Sequence, residues 1–202
     1  MTAPTPSDAD IRQLLEAALP SWQRAGHRLP VLVSGTPAWA LACAQSLVDE
    51  DSLWVGPDAP SSVRSLSMRR ARESLGGECG RVIVNALSGF DPDALGAVAG
   101  LPRAGGCLIL LAPPLADWPE RDDPELARIT PYPFTPADAG SAYRQRLARL
   151  LKEQQPLWTV TEGEPLAAVP LPAGPAGSPR LVAAPCRTPD QAEAVERIVH
   201  VA

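Results

Sequence analysis

Short runs of uninterrupted apolar residues recur along the first half of the chain. They occupy residues 29–33, 52–56, 81–86 and 107–112. None of these runs alternates polar and apolar positions, so each predicts a strand buried on both faces, as in a parallel sheet covered by helices. The segments between these runs have helical patterns and are predicted to form the helices that cover the sheet; they span residues 37–48, 62–74 and 92–99. Together they predict an α/β fold, a Rossmann-like three-layer domain with a mainly parallel sheet flanked by helices.

Capping signals and helical periodicity predict where several helices begin. Thr36 followed by Pro37 is an N-cap and first-turn pair that opens the helix after the first apolar run. Ser7 is the predicted cap of an N-terminal helix whose apolar residues recur at helical spacing. Pro20 is expected to kink or restart that helix.

The second half of the chain predicts one more helix and one more strand. The helix spans about 137–153, and a strand at 156–161 is a candidate to pair with 166–171 across a turn. That helix is expected to bury one face and expose the other. The apolar face carries Tyr143, Leu147, Leu150 and Leu151, and the basic face carries Arg144, Arg146, Arg149 and Lys152.

Changes in composition divide the chain into four segments. These are an N-terminal helical segment at 1–28, the α/β domain at 29–169, a Pro- and Gly-rich linker at 170–187, and a last segment at 188–202. The last segment begins a helix, capped by Thr188, that has little chain left to pack against, and so short a helix gains little stability alone. We therefore expect the chain to be part of a longer protein and to end just inside its next domain.

Composition and charge exclude several classes of protein. The net charge of −5 argues against a general polyanion-binding protein, so contact with nucleic acid would need a local basic patch. The four cysteines show no CxxC spacing and there are only two histidines, so no metal site is expected. No apolar run approaches the roughly 20 residues that span a bilayer, and the polar N-terminus is not a signal peptide. We expect a cytoplasmic protein with buried free thiols and no membrane partner.

The turn after the first apolar run has the outline of a phosphate-binding loop without its chemistry. Gly35 begins the pattern G-x-x-x-x-G-K-[ST], but Ala40 and Leu41 stand where glycine and lysine are needed. The run at 81–86 contains Asn85 where a magnesium-binding strand usually carries an acidic residue. No nucleophilic triad is supported either, so no catalytic residue is predicted. If a nucleotide or small ligand does bind, the candidate positions are the carboxyl ends of the strands, near 34–36, Asp58 and 85–91.

Two basic clusters are candidates for contact with RNA. The first consists of Arg64, Arg69, Arg70 and Arg72, and the second, in the helix at 137–153, includes Arg144, Arg149 and Lys152. Arginine pairs with phosphates and stacks on bases, which favours contact with an RNA backbone. The alternative is a solvated helix surface, and neither cluster has interleaved aromatic residues on which bases could stack.

Several segments resemble the N-terminal region of the bacterial tRNA(Met) cytidine acetyltransferases. They are VLVSGTPAWALACAQSL, SLWVGPD, GFDPDALGAVAGLPRAGGCLILLAPPLADW and TPDQAEAV. The third is the most specific, because its order, its spacing and its final tryptophan all resemble the family. The resemblance covers most of residues 29–160 and resumes at 188–195.

The resemblance implies a larger enzyme around this chain. In that family the α/β domain precedes a RecA-like ATPase module, a GNAT acetyltransferase domain and a tRNA-binding C-terminal region. The full-length enzyme acetylates N4 of the wobble cytidine of elongator methionine tRNA, and acetyl-CoA, ATP and Mg²⁺ are implied for it. Residues 188–202 resemble the start of the ATPase domain, with Gln191 where such modules often read adenine. The catalytic segments lie outside this chain, so the resemblance implies no catalytic residue and no cofactor for the chain itself.

Three hypotheses about function remain at this point. The first is a noncatalytic accessory domain of such an enzyme, which positions tRNA and assembles with the ATPase and GNAT domains. The second is a Rossmann-like domain that binds a nucleotide or small ligand by itself. The third is a purely structural scaffold.

Overall fold

The fold is a parallel sheet covered by helices on both faces. The computed structural model describes residues 7–153, 156–172, 174, 188–190 and 193. Its strands are β1 Leu29–Ser34, β2 Ser52–Val55, β3 Arg64–Leu66, β4 Cys79–Asn85, β5 Pro102–Ala112 and β6 Trp158–Thr161. The six strands lie in the order β3-β2-β4-β5-β1-β6, and all neighbours are parallel. The predicted α/β class, with a parallel sheet between two helical layers, is confirmed.

Helices form the two outer layers. The α-helices are α1 Asp8–Arg24, α2 Pro37–Leu47, α3 Pro92–Val98, α4 Leu126–Ile129 and α5 Ala142–Glu153, and shorter 3₁₀ helices occupy Met68–Ser74, Trp118–Glu120 and Pro136–Ala139. α1 and α2 cover the face of the sheet to which Val31 and Val33 belong. α3, α5 and the 3₁₀ helix Met68–Ser74 cover the opposite face, to which Leu32 belongs. Successive side chains of β1 therefore enter different layers of the core, as the alternation of a strand requires.

Burial on both faces explains why the middle residues of the inner strands are apolar. Val31 of β1 lies opposite Ile109 of β5 and Trp158 of β6, and all three side chains are at most 1% exposed. Each fully buried aliphatic side chain stabilises the fold by about 1.5–3 kcal/mol relative to exposure. A polar residue at such a position would not supply this stabilisation, whichever face of the sheet its side chain entered.

The N-terminal helix begins as its sequence predicts and continues past its proline. Ser7 and Asp10 form a capping box: the Asp10 N–H donates to Oγ of Ser7 at 3.3 Å, and the Ser7 N–H donates to Oδ2 of Asp10 at 3.1 Å. α1 then runs without interruption through Pro20 to Arg24, so the expected restart is absent. Trp22, beyond the proline, is 3% exposed, and its burial holds the last turn against the sheet.

The predicted helix at 62–74 is wrong. Its first part is β3, a short edge strand paired with β2, and its second part is the 3₁₀ helix Met68–Ser74. Met68 and Ala71 are the buried residues of that helix, and they lie three positions apart. Three residues per turn place both side chains on the side of this helix that meets the sheet.

The predicted hairpin at the end of the domain is also wrong. β6 pairs in parallel with β1, and residues 165–172 form no strand. Instead, Leu166 and Val169 pack on the same core as α1 and α2. The indole N–H of Trp158 donates to the Ala167 carbonyl oxygen at 3.0 Å, which holds this segment in place.

Two predicted element boundaries differ from those observed. β5 begins at Pro102, ahead of the apolar run at 107–112. The predicted helix at 137–153 is divided into the 3₁₀ helix Pro136–Ala139 and α5. Gly140 separates these two pieces with a φ of 65°, a left-handed conformation that glycine adopts without strain.

Candidate functional site

The turn between β1 and α2 binds a carboxylate of the chain itself. The backbone N–H of Thr36 donates to Oε2 of Glu162 at 2.6 Å, and the Thr36 hydroxyl donates to Oε1 at 3.0 Å. Glu162 thus occupies the place at the start of α2 where a phosphate would accept N–H bonds. Gly35 is needed there, because a Cβ would lie 2.6 Å from Cε3 of Trp39 and 2.8 Å from Cβ of Glu162. Thr36 is at the N-cap position as predicted, but its side chain binds Glu162 and makes no cap bond to its own helix.

The candidate ligand position at the carboxyl end of β4 is also internally bonded. Asn85 is fully buried, its Nδ2 donates to the Pro57 carbonyl oxygen at 2.9 Å, and its Oδ1 accepts from the Leu87 N–H at 3.1 Å. The indole of Trp54 donates to the same Pro57 oxygen at 2.8 Å. Within the described parts of the chain, every buried side-chain nitrogen and oxygen has a hydrogen-bond partner. At this edge of the sheet, therefore, no buried side-chain nitrogen or oxygen of the described residues is left without a hydrogen-bond partner.

The first predicted basic cluster is divided between two places. Arg64 lies in β3 near the Cys79 thiol, where its positive charge opposes the rise that burial causes in the pKa of that thiol. The other three arginines, Arg69, Arg70 and Arg72, are exposed on the 3₁₀ helix that follows β3. Only these three share a surface.

The exposed arginines of that 3₁₀ helix differ in their ion pairs. Arg70 binds Glu73 of the same helix with an N···O distance of 2.8 Å, and Arg72 binds Asp93 of α3 at 3.0 Å. Both pairs are more than half exposed, so they contribute little stability. Arg69 has no carboxylate partner among the described residues, which leaves its charge available to an anion from outside.

Arg144 of the second predicted cluster is buried and does not share the surface of its neighbours. Its Nη1 donates to the carbonyl oxygens of Trp118 and Arg121, at 3.3 and 2.5 Å, and its Nε lies 4.0 Å from Oδ2 of Asp123. Asp123 in turn accepts the N–H of Phe90 at 3.2 Å. Arg144 therefore holds the connection between β5 and α5 in place, and its guanidinium is enclosed by the protein.

The remaining basic residues of α5 are exposed. Arg146, Arg149 and Lys152 lie on the solvent side and have no carboxylate partner within the described segments. Ala148 is buried together with Arg144, whereas Tyr143 is 54% exposed. Leu147 and Leu151 of the predicted apolar face do pack on the core, so the buried face of α5 is shifted toward Arg144 and Ala148 and leaves out Tyr143.

The start of α3 brings the two clusters onto one side of the domain. Asp93 at this start binds Arg72 from the 3₁₀ helix, and Phe90, three residues earlier, stacks on Tyr143 of α5. Asp91, between them, binds Arg128 of α4 at 2.7 Å. Both clusters also belong to the helical layer on the same face of the sheet. We call the exposed members of the two basic clusters on this side the basic face; they are Arg69, Arg70, Arg72, Arg146, Arg149 and Lys152.

The three cysteines within the described residues are buried free thiols. Cys43, Cys79 and Cys107 are free and at most 1% exposed, as their apolar surroundings predict. Burial raises the pKa of Cys43 and of Cys107 to about 12. In the described residues no group of three or more His, Cys, Asp or Glu side chains could hold a metal ion. No helix among these residues has both the length and the apolar content to cross a membrane.

Comparison with known proteins gives a consistent family. A family model described as "tRNA(Met) cytidine acetyltransferase TmcA, N-terminal" matches residues 1–162. The chain belongs to this family. It is 37% identical to a tRNA(Met) cytidine acetyltransferase TmcA of Nitrosococcus halophilus, over 97% of this chain and 28% of the relative. It is 35% identical to the TmcA of Pectobacterium atrosepticum, over 72% of this chain and 24% of the relative.

The TmcA match confirms the resemblance seen in the sequence and extends it. The matched range includes α1, which lies outside the residues that carried the resemblance. The chain spans only about a quarter of the length of these relatives, at 28% and 24%. Gln191 lies outside the described residues, and the four-segment division of the chain stays a prediction.

The sequence did not predict the roles of two residues of this TmcA domain, Glu162 and Tyr143. Glu162 follows the last strand, and nothing in its local sequence indicates that it reaches Thr36 of a distant turn. Tyr143 was predicted on the buried face of its helix, and the second basic cluster was predicted to lack an aromatic residue, but Tyr143 is exposed beside that cluster. An acidic residue directly after a strand that neighbours β1 is the one signal that could have indicated Glu162.

Proposed function

We propose that this chain is a noncatalytic accessory domain that helps to position tRNA(Met) in a longer TmcA-type enzyme. Its relatives are named tRNA(Met) cytidine acetyltransferases, and the chain corresponds to their N-terminal part. The observation that carries the proposal is the basic face, which gathers cations from two distant segments onto one side of the sheet. Arg64 and Arg144, which lie apart from that face, are not assigned to RNA contact.

Electrostatics supports the contact between the basic face and RNA. The chain as a whole carries a net charge of −5, so the local cluster is a departure from the average surface. Arg69, Arg149 and Lys152 have no carboxylate partner within the described residues, so a phosphate need not displace an internal ion pair. Such contacts position a nucleic acid without reading its sequence. Recognition of one particular tRNA would then depend on other parts of the enzyme.

Salt dependence of tRNA binding tests this proposal. The chain should bind a tRNA(Met) transcript, and its affinity should fall steeply between about 50 and 200 mM salt as counterions are released. Replacing Arg69, Arg149 or Lys152 with alanine should each lower the log–log salt slope by about 0.7–0.9. Fluorescence anisotropy at several salt concentrations measures both quantities.

Arg24→Ala is the matched control for this experiment. Arg24 is an exposed arginine in α1, on the opposite face of the sheet, and its substitution should leave the slope unchanged. Loss of affinity to the same extent in Arg24→Ala would mean that net charge, not the basic face, governs binding. Absence of tRNA binding at low salt would refute the proposed contact and leave the structural scaffold.

The alternative function, binding of a nucleotide or small ligand, is favoured by no specific observation. Glu162 binds the amide of Thr36, and Asn85 is satisfied by Pro57 and Leu87. Both would have to be displaced before a phosphate could be held at this edge of the sheet. Titration calorimetry with ATP and with acetyl-CoA should therefore give no saturable heat. A stoichiometric signal from either ligand would instead support the alternative.

Cofactors and domain partners are expected outside this chain. Acetyl-CoA, ATP and Mg²⁺ belong to the proposed longer enzyme, with the RecA-like ATPase and GNAT domains as intramolecular partners. Gln191 stays a candidate adenine-reading residue of the ATPase domain. A cytoplasmic location follows from the proposed tRNA substrate.

A further inference from the structure

Tyr143 presents an aromatic ring beside the basic side chains of α5, and buried rings support it. The rings of Tyr143 and Phe90 are stacked, with centroids 6.1 Å apart and an interplanar angle of 25°. Phe90 meets Trp118 edge to face, with centroids 5.4 Å apart. Phe90 and Trp118 are 4% and 2% exposed, whereas Tyr143 is 54% exposed. The ring is therefore held by the core on one side and open to solvent over half its surface.

The orientation of this ring is fixed by the residue that follows it. Arg144 points into the protein and donates to the carbonyl oxygens of Trp118 and Arg121. Rotation of α5 that buried Tyr143 would break these bonds and expose the partner carboxylate of Asp123. Tyr143 is thus held at the surface before any ligand arrives, and ordering it would cost a ligand little.

Two cations lie on one side of this ring, toward the end of α5. Arg146 follows Tyr143 by three positions and is its neighbour on the helix surface, and Arg149 lies one turn further. Neither has a carboxylate partner among the described residues. An exposed aromatic ring next to arginines is the combination that binds single-stranded RNA, since bases stack on the ring while phosphates meet the cations.

We propose that Tyr143 is a stacking platform for an unpaired base of the bound tRNA. Arg146 and Arg149 bind phosphates of the nucleotides that follow along α5. This inference rests on the proposed function and narrows it, because base faces are accessible only in loops, ends and unpaired stretches. Double-stranded RNA hides these faces and would meet only the cations.

Substitution of the ring tests the platform separately from the charges. Tyr143→Ala should weaken binding of a tRNA(Met) transcript, and of a single-stranded oligonucleotide, roughly tenfold without changing the salt slope. Tyr143→Phe should restore the affinity, because stacking does not need the hydroxyl. Binding of a perfectly paired RNA duplex should be unaffected by either substitution. Tyr132→Ala is the matched control, since Tyr132 is 97% exposed and belongs to no ring pair in the described chain.

The outcomes separate this inference from the proposed function. Unchanged affinity of Tyr143→Ala, with a reduced salt slope in Arg149→Ala, would overturn the platform and leave tRNA contact standing. Equal losses for single-stranded and duplex RNA, or equal losses for Tyr132→Ala, would also overturn it. No binding of any RNA by the chain would overturn both. Thermal melts of each variant establish that the fold is retained, which is expected because Tyr143 is more than half exposed.

Discussion

Arg144→Ala should destabilise the domain far more than the same substitution at Arg149, five positions further along α5. The side chain of Arg144 is 9% exposed, and its Nη1 hydrogen-bonds two backbone carbonyl oxygens in the connection between β5 and α5. Alanine would leave both oxygens and the Asp123 carboxylate without this cation. Arg149 is exposed and has no ion pair among the described residues, so its loss should change the free energy of unfolding by less than about 0.5 kcal/mol.

The size of the effect follows from the contacts of Arg144 and Asp123. Hydrogen bonds from a charged donor are worth about 1.5–3 kcal/mol, and breaking a buried ion pair costs about 3–5 kcal/mol. Asp123 keeps two backbone donors, the N–H groups of Phe90 and Glu125, at 3.2 and 3.0 Å, so it would not be left wholly unpaired. The 4.0 Å separation from Arg144 also indicates a weaker pair. We therefore expect a loss of about 2–3 kcal/mol, within the range for a charged hydrogen bond and below the full cost of breaking a buried ion pair.

Urea unfolding followed by tryptophan fluorescence measures this loss. The midpoint should fall by about 1 M while the slope stays constant, as expected for a change in stability alone. Arg144→Lys should be intermediate, because an ammonium keeps the charge but lacks the planar fork of donors. In a double-mutant cycle, Asp123→Asn should show coupling with Arg144→Ala. Equal midpoints for Arg144→Ala and Arg149→Ala would refute the assignment of Arg144 to loop support.

Two further predictions concern the sheet edge and the core thiols. Glu162→Ala should destabilise the domain by about 1–2 kcal/mol, because it removes the acceptor of two hydrogen bonds at the start of α2. Urea unfolding measures this loss, with substitution of the exposed Glu164 by alanine as the control. An equal effect of the two substitutions would contradict the role given to Glu162. Cys43 and Cys107, with pKa values raised by burial to about 12, should react with a thiol reagent at pH 8 only as fast as the protein unfolds, in a Cys186→Ser background. Because unfolded thiols ionise near pH 8.5, these two groups stabilise the fold fully below that pH, and their contribution should fall as the pH rises toward 12. Rapid labelling of the native protein at pH 8, or a stability that is flat through the alkaline range, would show that they are not buried as described.

Local patterns along the chain were sufficient to predict the central part of the fold. The runs that became β1, β2 and β4 are apolar through their middle residues, 31–33, 53–55 and 82–84, because strands covered on both faces have no side on which a polar residue meets water. Ser7 was recognisable as a cap because a capping box is closed by residues only three positions apart. Such features depend on neighbours in sequence, and the printed sequence therefore carries them in full.

Edge strands and irregular segments were less predictable for a physical reason. β3 has the burial of an edge, with two exposed residues out of three, and its pairing with β2 is not indicated by its own composition. Residues 166–171 are apolar enough for a strand, but Leu166 and Val169 pack on the core while Trp158 binds a carbonyl oxygen between them. β6 is an edge strand and could accept a further partner, so contacts of 166–171 with the core and with Trp158 decide that this segment covers the core and does not pair.

The candidate site was decided by tertiary structure. The sequence by itself determined the parallel α/β architecture and the absence of a phosphate-binding lysine after Gly35. Only the fold brings Glu162 to the amide of Thr36, turns Arg144 inward and leaves Tyr143 exposed on Phe90. A helical pattern predicts that apolar side chains are buried and charged ones exposed. A buried cation is nevertheless stable where carbonyl oxygens and a carboxylate surround it. The partners of Arg144 come from the connection after β5, which no local pattern in α5 contains. Contacts with that connection therefore determine which side of α5 faces the solvent and is available to RNA.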